Sequence, residues 1–156
     1  MYIDKIKLNN FRNYKEEKIK LKNGINLFYG DNAQGKTNII ESIFICSMGK
    51  SFRARRDKEL ISFEEQNSQI EIKYNKKDRE GKIKYIIGEN KNIFINNVQI
   101  KKMSEILGNI NIVLFSPEDI NIIKDGPSNR RKFLNMMISQ LRPNYIYTYN
   151  LYLKTL

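Results

Sequence analysis

Apolar positions along this chain change period several times, and each change marks an element. Residues 3–8 (IDKIKL) and 18–22 (KIKLK) set Ile6 and Leu8, then Ile19 and Leu21, on one face with lysines on the other. A period of two belongs to a half-buried strand, so these segments are expected to pair antiparallel, with 9–14 as the bend. After Gly24, residues 25–29 make a short apolar strand ending at Gly30. From Gly35 to about Met48 the spacing turns helical: Ile39, Ile40, Ile43 and Phe44 share a face, with Lys36 and Glu41 off it. Residues 69–75, 82–88 and 92–100 return to strand character, punctuated by Asp78, Gly81, Asn96 and Asn97, as in a meander. A short helix is expected over 101–108 and a buried strand over 110–115. Ser116, Pro117, Glu118 and Asp119 compose a helix start, with a capping hydroxyl, a first-turn proline and two acids at the positive end of the dipole. That helix should stop near Gly126 and Pro127. Another begins at Ser128, and Tyr145, Tyr149, Tyr152 and Leu153 pattern a last one after Pro143.

The junction of strand and helix at 30–37 carries the chemistry. Gly30, Asp31, Asn32, Ala33, Gln34, Gly35, Lys36 and Thr37 match GxxxxGK[ST], the P-loop. Glycine at 30 and 35 lets the backbone turn its N–H groups inward, making an anion nest closed by a helix N-terminus. Lys36 sets a positive charge on the β and γ phosphates, and the Thr37 hydroxyl is a ligand for Mg2+. Strand, loop and amphipathic helix in that order is the context the motif requires. ATP with Mg2+ is the expected ligand.

Hydrolysis needs an acid at the end of another apolar strand to hold the metal. The nearest aliphatic run, 112–115, leads instead into Ser116, Pro117 and Glu118, so no catalytic residue is assigned. A stand-alone NTP-hydrolysing enzyme of the small kinase or GTPase type is the alternative class, and it would need that acid and a base-specificity motif within these residues.

Charge and composition adjust this picture slightly. Lysine and arginine total 28 against 17 acidic residues, a net charge of +11 over 156 residues, which favours a polyanionic partner. Arg53, Arg55 and Arg56 cluster after the P-loop helix, and Arg130 and Arg131 form a second cluster; gripping DNA phosphates, closing a dimer or simply a solvated surface all suit them. The four tyrosines from Tyr145 to Tyr152 suit helix packing better than base stacking. No stretch is long and apolar enough for a transmembrane helix, and the N-terminus has no secretory pattern, so a cytoplasmic protein without membrane partners is expected. Cys46, the single cysteine, sits in an apolar run and reads as a core residue.

With the loop in place, IDKIKLNNFRNY followed by GINLFYGDNAQGKTNIIESIF resembles the head domain of the ABC-type ATPases related to SMC and Rad50. Three further stretches, GKSFR at 49–53, FSPEDI at 115–120 and GPSNRRKFL at 126–134, are similar to one branch of that group, acting in DNA replication, repair and the SOS response to damage. The resemblance covers nearly the whole chain. It implies an α/β fold, a P-loop NTPase head lobe with a mixed sheet plus an antiparallel meander, ending at the start of a helical arm. Residues 1–127 would be the ATP-binding lobe and 128–156 the start of the helical lobe, with the natural protein continuing beyond Leu156. The resemblance further implies that Arg12 and Asn13 reach the phosphates of the nucleotide and that two heads sandwich two ATP molecules. It also implies that the homodimer holds DNA (gapped, single- or double-stranded) and that recombination mediator proteins are partners.

Overall fold

A computed structural model of the chain describes residues 1–120, 124 and 126–155. Six strands form one antiparallel sheet: β1 (Tyr2–Phe11), β2 (Tyr14–Lys20), β3 (Ser68–Lys76), β4 (Arg79–Ile87), β5 (Asn92–Ile95) and β6 (Val98–Gln99), in the order β2-β1-β3-β4-β5-β6. Among the described residues three α-helices, α1 (Lys36–Met48), α2 (Pro127–Leu141) and α3 (Pro143–Thr155), accompany it.

The alternation in the sequence becomes rows of side chains across the sheet. Ile19 faces Ile6, Ile6 faces Ile72, Ile72 faces Ile83 and Ile83 faces Ile95, so one row of isoleucines crosses five strands. The neighbouring row runs Leu8, Ile70, Tyr85 and Ile93. Ile6, Leu8, Ile70, Ile72, Ile83 and Tyr85 have no exposed surface. Burying an aliphatic chain of this size is worth about 1.5–3 kcal/mol. α1 covers this face with Ile45 and Cys46, while Leu60 and Ile106 close the sides.

Several expectations shift. The first pair of strands is longer than 3–8 and 18–22, and the bend contracts to Arg12 and Asn13, with Phe11 facing Tyr14. The meander is cut at two turns whose central residues all have positive φ, Lys77 with Asp78 and Asn96 with Asn97, as a tight right-twisted hairpin requires. Gly81 is no turn residue: it lies within β4 opposite Tyr74, whose ring would sit 2.3 Å from a Cβ there. The helix expected over 101–108 is a single 3-10 turn, Met103–Ile106. The helix expected from Ser116 opens as the 3-10 turn Pro117–Ile120, and its expected continuation at 121–123 and 125 lies outside the described residues. Proline occupies the first position of both α2 and α3, where its missing N–H costs nothing.

The strands expected at 25–29 and 110–115 join no ladder among the described residues. A strand persists only where its backbone groups find partners, and the antiparallel sheet ends elsewhere. Ile112 shows the substitute. Its N–H donates to Oε1 of buried Gln140 at 2.7 Å and its carbonyl accepts from the same side-chain amide at 3.1 Å. Ile110 is buried in the core, but other apolar side chains on these segments stay in solvent, Ile25 at 98% exposure, Tyr29 at 87% and Phe115 at 85%. Phe28 alone of the 25–29 group packs on the core. Among the described residues no helix is long and apolar enough to cross a membrane.

Candidate nucleotide-binding site

The P-loop takes its shape from three residues with positive φ: Gly30 at 141°, Ala33 at 65° and Gly35 at 96°. Ala33 stands where a side chain opposes the conformation, at a cost of roughly 1–2 kcal/mol. Gly35 has no such freedom to lose, because a Cβ there would lie 2.7 Å from the Tyr14 hydroxyl and 2.8 Å from Asn13 Oδ1. The β1–β2 turn therefore leans directly on the loop, and the Tyr14 hydroxyl donates to the Gln34 carbonyl at 3.4 Å.

Gly35 also opens α1. The helix has no side-chain cap and no acid in its first turn, so its leading N–H groups are left for another acceptor. Lys36 arches over the loop, its ammonium donating to the Gly30 carbonyl at 2.7 Å and the Asp31 carbonyl at 2.5 Å. Thr37 is exposed beside it. A loop bent by three positive-φ residues, an uncapped helix start and a lysine in one place suit the phosphates of a nucleotide. For a metal the fit is narrower. Among the described residues no cluster of three or more His, Cys, Asp or Glu could hold one, so Thr37 would serve as one ligand beside the phosphates themselves.

One turn into α1, Glu41 overturns an expectation. Lying off the anticipated apolar face, it is nonetheless fully buried, while Ile40 is 38% exposed; the covered face is rotated toward Glu41, Ser42 and Ile45. Its carboxylate is satisfied by three residues from two segments. Arg12 donates to it twice, Nε at 3.0 Å and Nη2 at 2.8 Å; Ser51 Oγ donates at 2.5 Å, and Arg53 Nη2 at 3.3 Å. Burial pushes the Glu41 carboxyl up, but hydrogen bonds from Arg12 and Ser51 and the charges of Arg12 and Arg53 outweigh it, holding the group below the usual range.

Of the residues singled out in the sequence, Gly30 to Thr37 form one continuous cradle, with Asp31, Asn32, Ala33 and Gln34 exposed along it. Arg12 lies against Glu41 and the Glu59 carbonyl, which its Nη1 meets at 2.8 Å. Asn13 accepts from Asn38 Nδ2 at 2.8 Å. Arg53 parts company with Arg55 and Arg56. Its guanidinium turns to Asn38, at 2.9 Å, and to Glu41, although Arg53 is exposed like the other two. Arg130 and Arg131 are exposed on α2. Glu41, Asn38 and Ser51 were not anticipated. A single carboxylate in a helix whose only other charged residue is Lys36, flanked in sequence by arginines on both sides, was the available signal.

Comparison with known proteins agrees with this geometry. Residues 5–153 match the AAA domain family. Over its whole length the chain is 45% identical to the DNA replication and repair protein RecF of Acetivibrio thermocellus and 48% identical to that of Clostridium tetani. It spans 43% of the length of each. The solved structure of the recombination mediator protein RecF–ATP in the RecFOR pathway has a TM-score of 0.91 at 42% identity, covering 100% of this chain and 45% of that one. The corresponding RecF–ATPrS structure gives 0.92 at 43% identity, covering 99% and 43%. An SMC head domain from Thermotoga maritima gives 0.57 at 17% identity over 68% of this chain and 41% of that one, a likeness of fold. The fold is that of a P-loop, ABC-type ATPase head lobe.

Proposed function

Because the chain belongs to the AAA domain family, and matches the N-terminal part of the RecF replication and repair proteins, we propose that it is the ATP-binding lobe of a DNA-binding repair protein. The observation that carries this is the uncapped start of α1 closing a loop bent at Gly30, Ala33 and Gly35, with Lys36 arched over it. Gly30 to Gly35 would hold the phosphates through their backbone, and Lys36 would exchange its two carbonyl partners for phosphate oxygens. Thr37 would take one position on Mg2+, which supplies charge neutralisation at the β and γ phosphates.

Residues 1–127 form the binding lobe in this reading, and 128–156 begin a helical lobe. The rest of a longer protein would cover Ile25, Tyr29 and Phe115, whose exposure suits a second layer packed there. ATP would favour a two-copy state that holds DNA, by binding that state more tightly than the open one. The net charge of +11 and the exposed Arg55, Arg56, Arg130 and Arg131 support a phosphate backbone as the other ligand. Recombination mediators are the proposed protein partners, and the cell interior the proposed location.

The test is retention of DNA by the full-length protein with and without ATP. Lys36→Ala should remove the ATP-dependent part. Undiminished retention would refute the switch.

A further inference from the structure

Glu41 is an expensive choice for a buried position, since a carboxylate must be both paired and hydrogen-bonded to reside there. The two-pronged contact from Arg12 alone would satisfy that need. The protein adds Arg53 and Ser51 all the same, drawn from a separate segment. The result is a closed circuit. Arg12 binds Glu41, Glu41 binds Arg53, Arg53 binds Asn38, and Asn38 binds Asn13, the covalent neighbour of Arg12. It ties together the β1–β2 turn, the first turns of α1 and the segment after α1.

Two guanidiniums against one carboxylate leave the circuit with a surplus positive charge. It lies one turn from the start of α1, and helical side chains lean toward the N-terminus, so Glu41 presents its partners at the loop end. These contacts engage three of the five N–H groups of Arg12. Those of Arg53 run through Nη2.

We infer that Glu41 is a positioning residue of the nucleotide site: it fixes Arg12 and Arg53 at the shoulder of the P-loop, so that their remaining N–H groups meet a bound nucleotide's phosphates already oriented. This rests on the ATP-binding reading above. The two arginines differ in how firmly they are held. Arg12 is gripped twice, at 3.0 and 2.8 Å, with 20% of its side chain exposed. Arg53 is held by the carboxylate once, at 3.3 Å, with 38% exposed, and is the one a phosphate can draw away.

Charge alone and positioning predict opposite signs, which makes the inference testable. Glu41→Gln removes a negative charge beside a site for a polyanion, so on charge alone MgATP should bind more tightly. If Glu41 positions the arginines, binding should weaken on the order of tenfold, the value of one charge-assisted hydrogen bond. Calorimetric titration of the full-length protein with MgATP would read this, with Lys36→Ala alongside and circular dichroism to verify folding. Equal or tighter binding by folded Glu41→Gln overturns the inference. Should that variant fail to fold, Ser51→Ala spares the buried pair and loosens Arg53; it is expected to weaken binding by roughly twofold to threefold. Unchanged or tighter binding there overturns it equally. Wild-type protein that does not bind MgATP, or binding undiminished by Lys36→Ala, would sink the ATP-lobe reading and this inference with it. Tight wild-type binding with an unweakened Glu41→Gln sinks the inference alone.

Discussion

Arg12→Ala should destabilise the protein by about 3 kcal/mol at neutral pH, far more than Arg53→Ala. Arg12 supplies two of the four hydrogen bonds that reach the buried Glu41 carboxylate. Removing one partner of a buried pair costs roughly 3–5 kcal/mol, because the other charge is left behind. Ser51 and Arg53 stay in place, so the lower end of that range applies. Arg53 makes one contact of 3.3 Å from a side chain 38% exposed, and its loss should cost under about 1 kcal/mol. The gap should depend on pH, with a definite sign. Glu41 is held below its ordinary range in the folded protein, so its stabilisation is complete above the unfolded value and fades as pH falls through the folded one. Without Arg12, burial dominates and the carboxyl protonates earlier, relieving the buried charge. The penalty of Arg12→Ala should therefore be largest near pH 7 and shrink below about pH 4, the unperturbed glutamate range. Urea unfolding of wild type and both variants at several pH values, followed by circular dichroism, measures it. Equal penalties for the two arginines, or a gap that stays constant from pH 7 down to about pH 3, would refute the reasoning.

Two other outcomes follow from the packing. Gly35→Ala forces a side chain into a φ of 96° and against Asn13 and Tyr14, so it should cost at least about 1–2 kcal/mol in thermal unfolding and weaken MgATP binding. Wild-type affinity in that variant would contradict the contact between turn and loop. Cys46 is fully buried, and burial pushes its thiol up, so a disulfide reagent at pH 8 should label it only as the protein unfolds. Labelling as fast as a free thiol would disprove that burial.

What was legible in the sequence is what local periodicity and backbone chemistry decide. Alternation placed Ile6, Leu8 and Ile19 on the core side of paired strands, and the glycines with Lys36 and Thr37 placed the loop against a helix start. Two things were not legible. Residues 25–29 and 110–115 have strand composition, but strand formation depends on a partner, and Gln140 answers Ile112 from a helix 28 positions away. The other was the site's second layer. Glu41 falls outside an apolar stripe drawn at 3.6 residues per turn, and only the arrival of Arg12 in three dimensions makes its burial tolerable. Arg53 was grouped with its basic neighbours for the same reason. Spacing shows where a charge sits along the chain, whereas its partner is set by folding.

The two ends of α1 are held very differently. At the far end Tyr85 donates to the Gly49 carbonyl at 2.8 Å and Ser47 to that of Ile110 at 2.7 Å, around fully buried Ile45 and Cys46. At the near end no side chain caps the first turn. In mechanical terms the helix is a propped beam, a rod about 20 Å long rooted in the sheet layer at one end and held by side-chain ties near the other. A pull on the Gly35 end cannot be absorbed by recoil at the root. It passes along the first turns, where Asn38 and Glu41 are fastened to Asn13 and Arg12 as well as to Arg53, so a load at the loop is delivered sideways to the β1–β2 turn and to the segment after the helix.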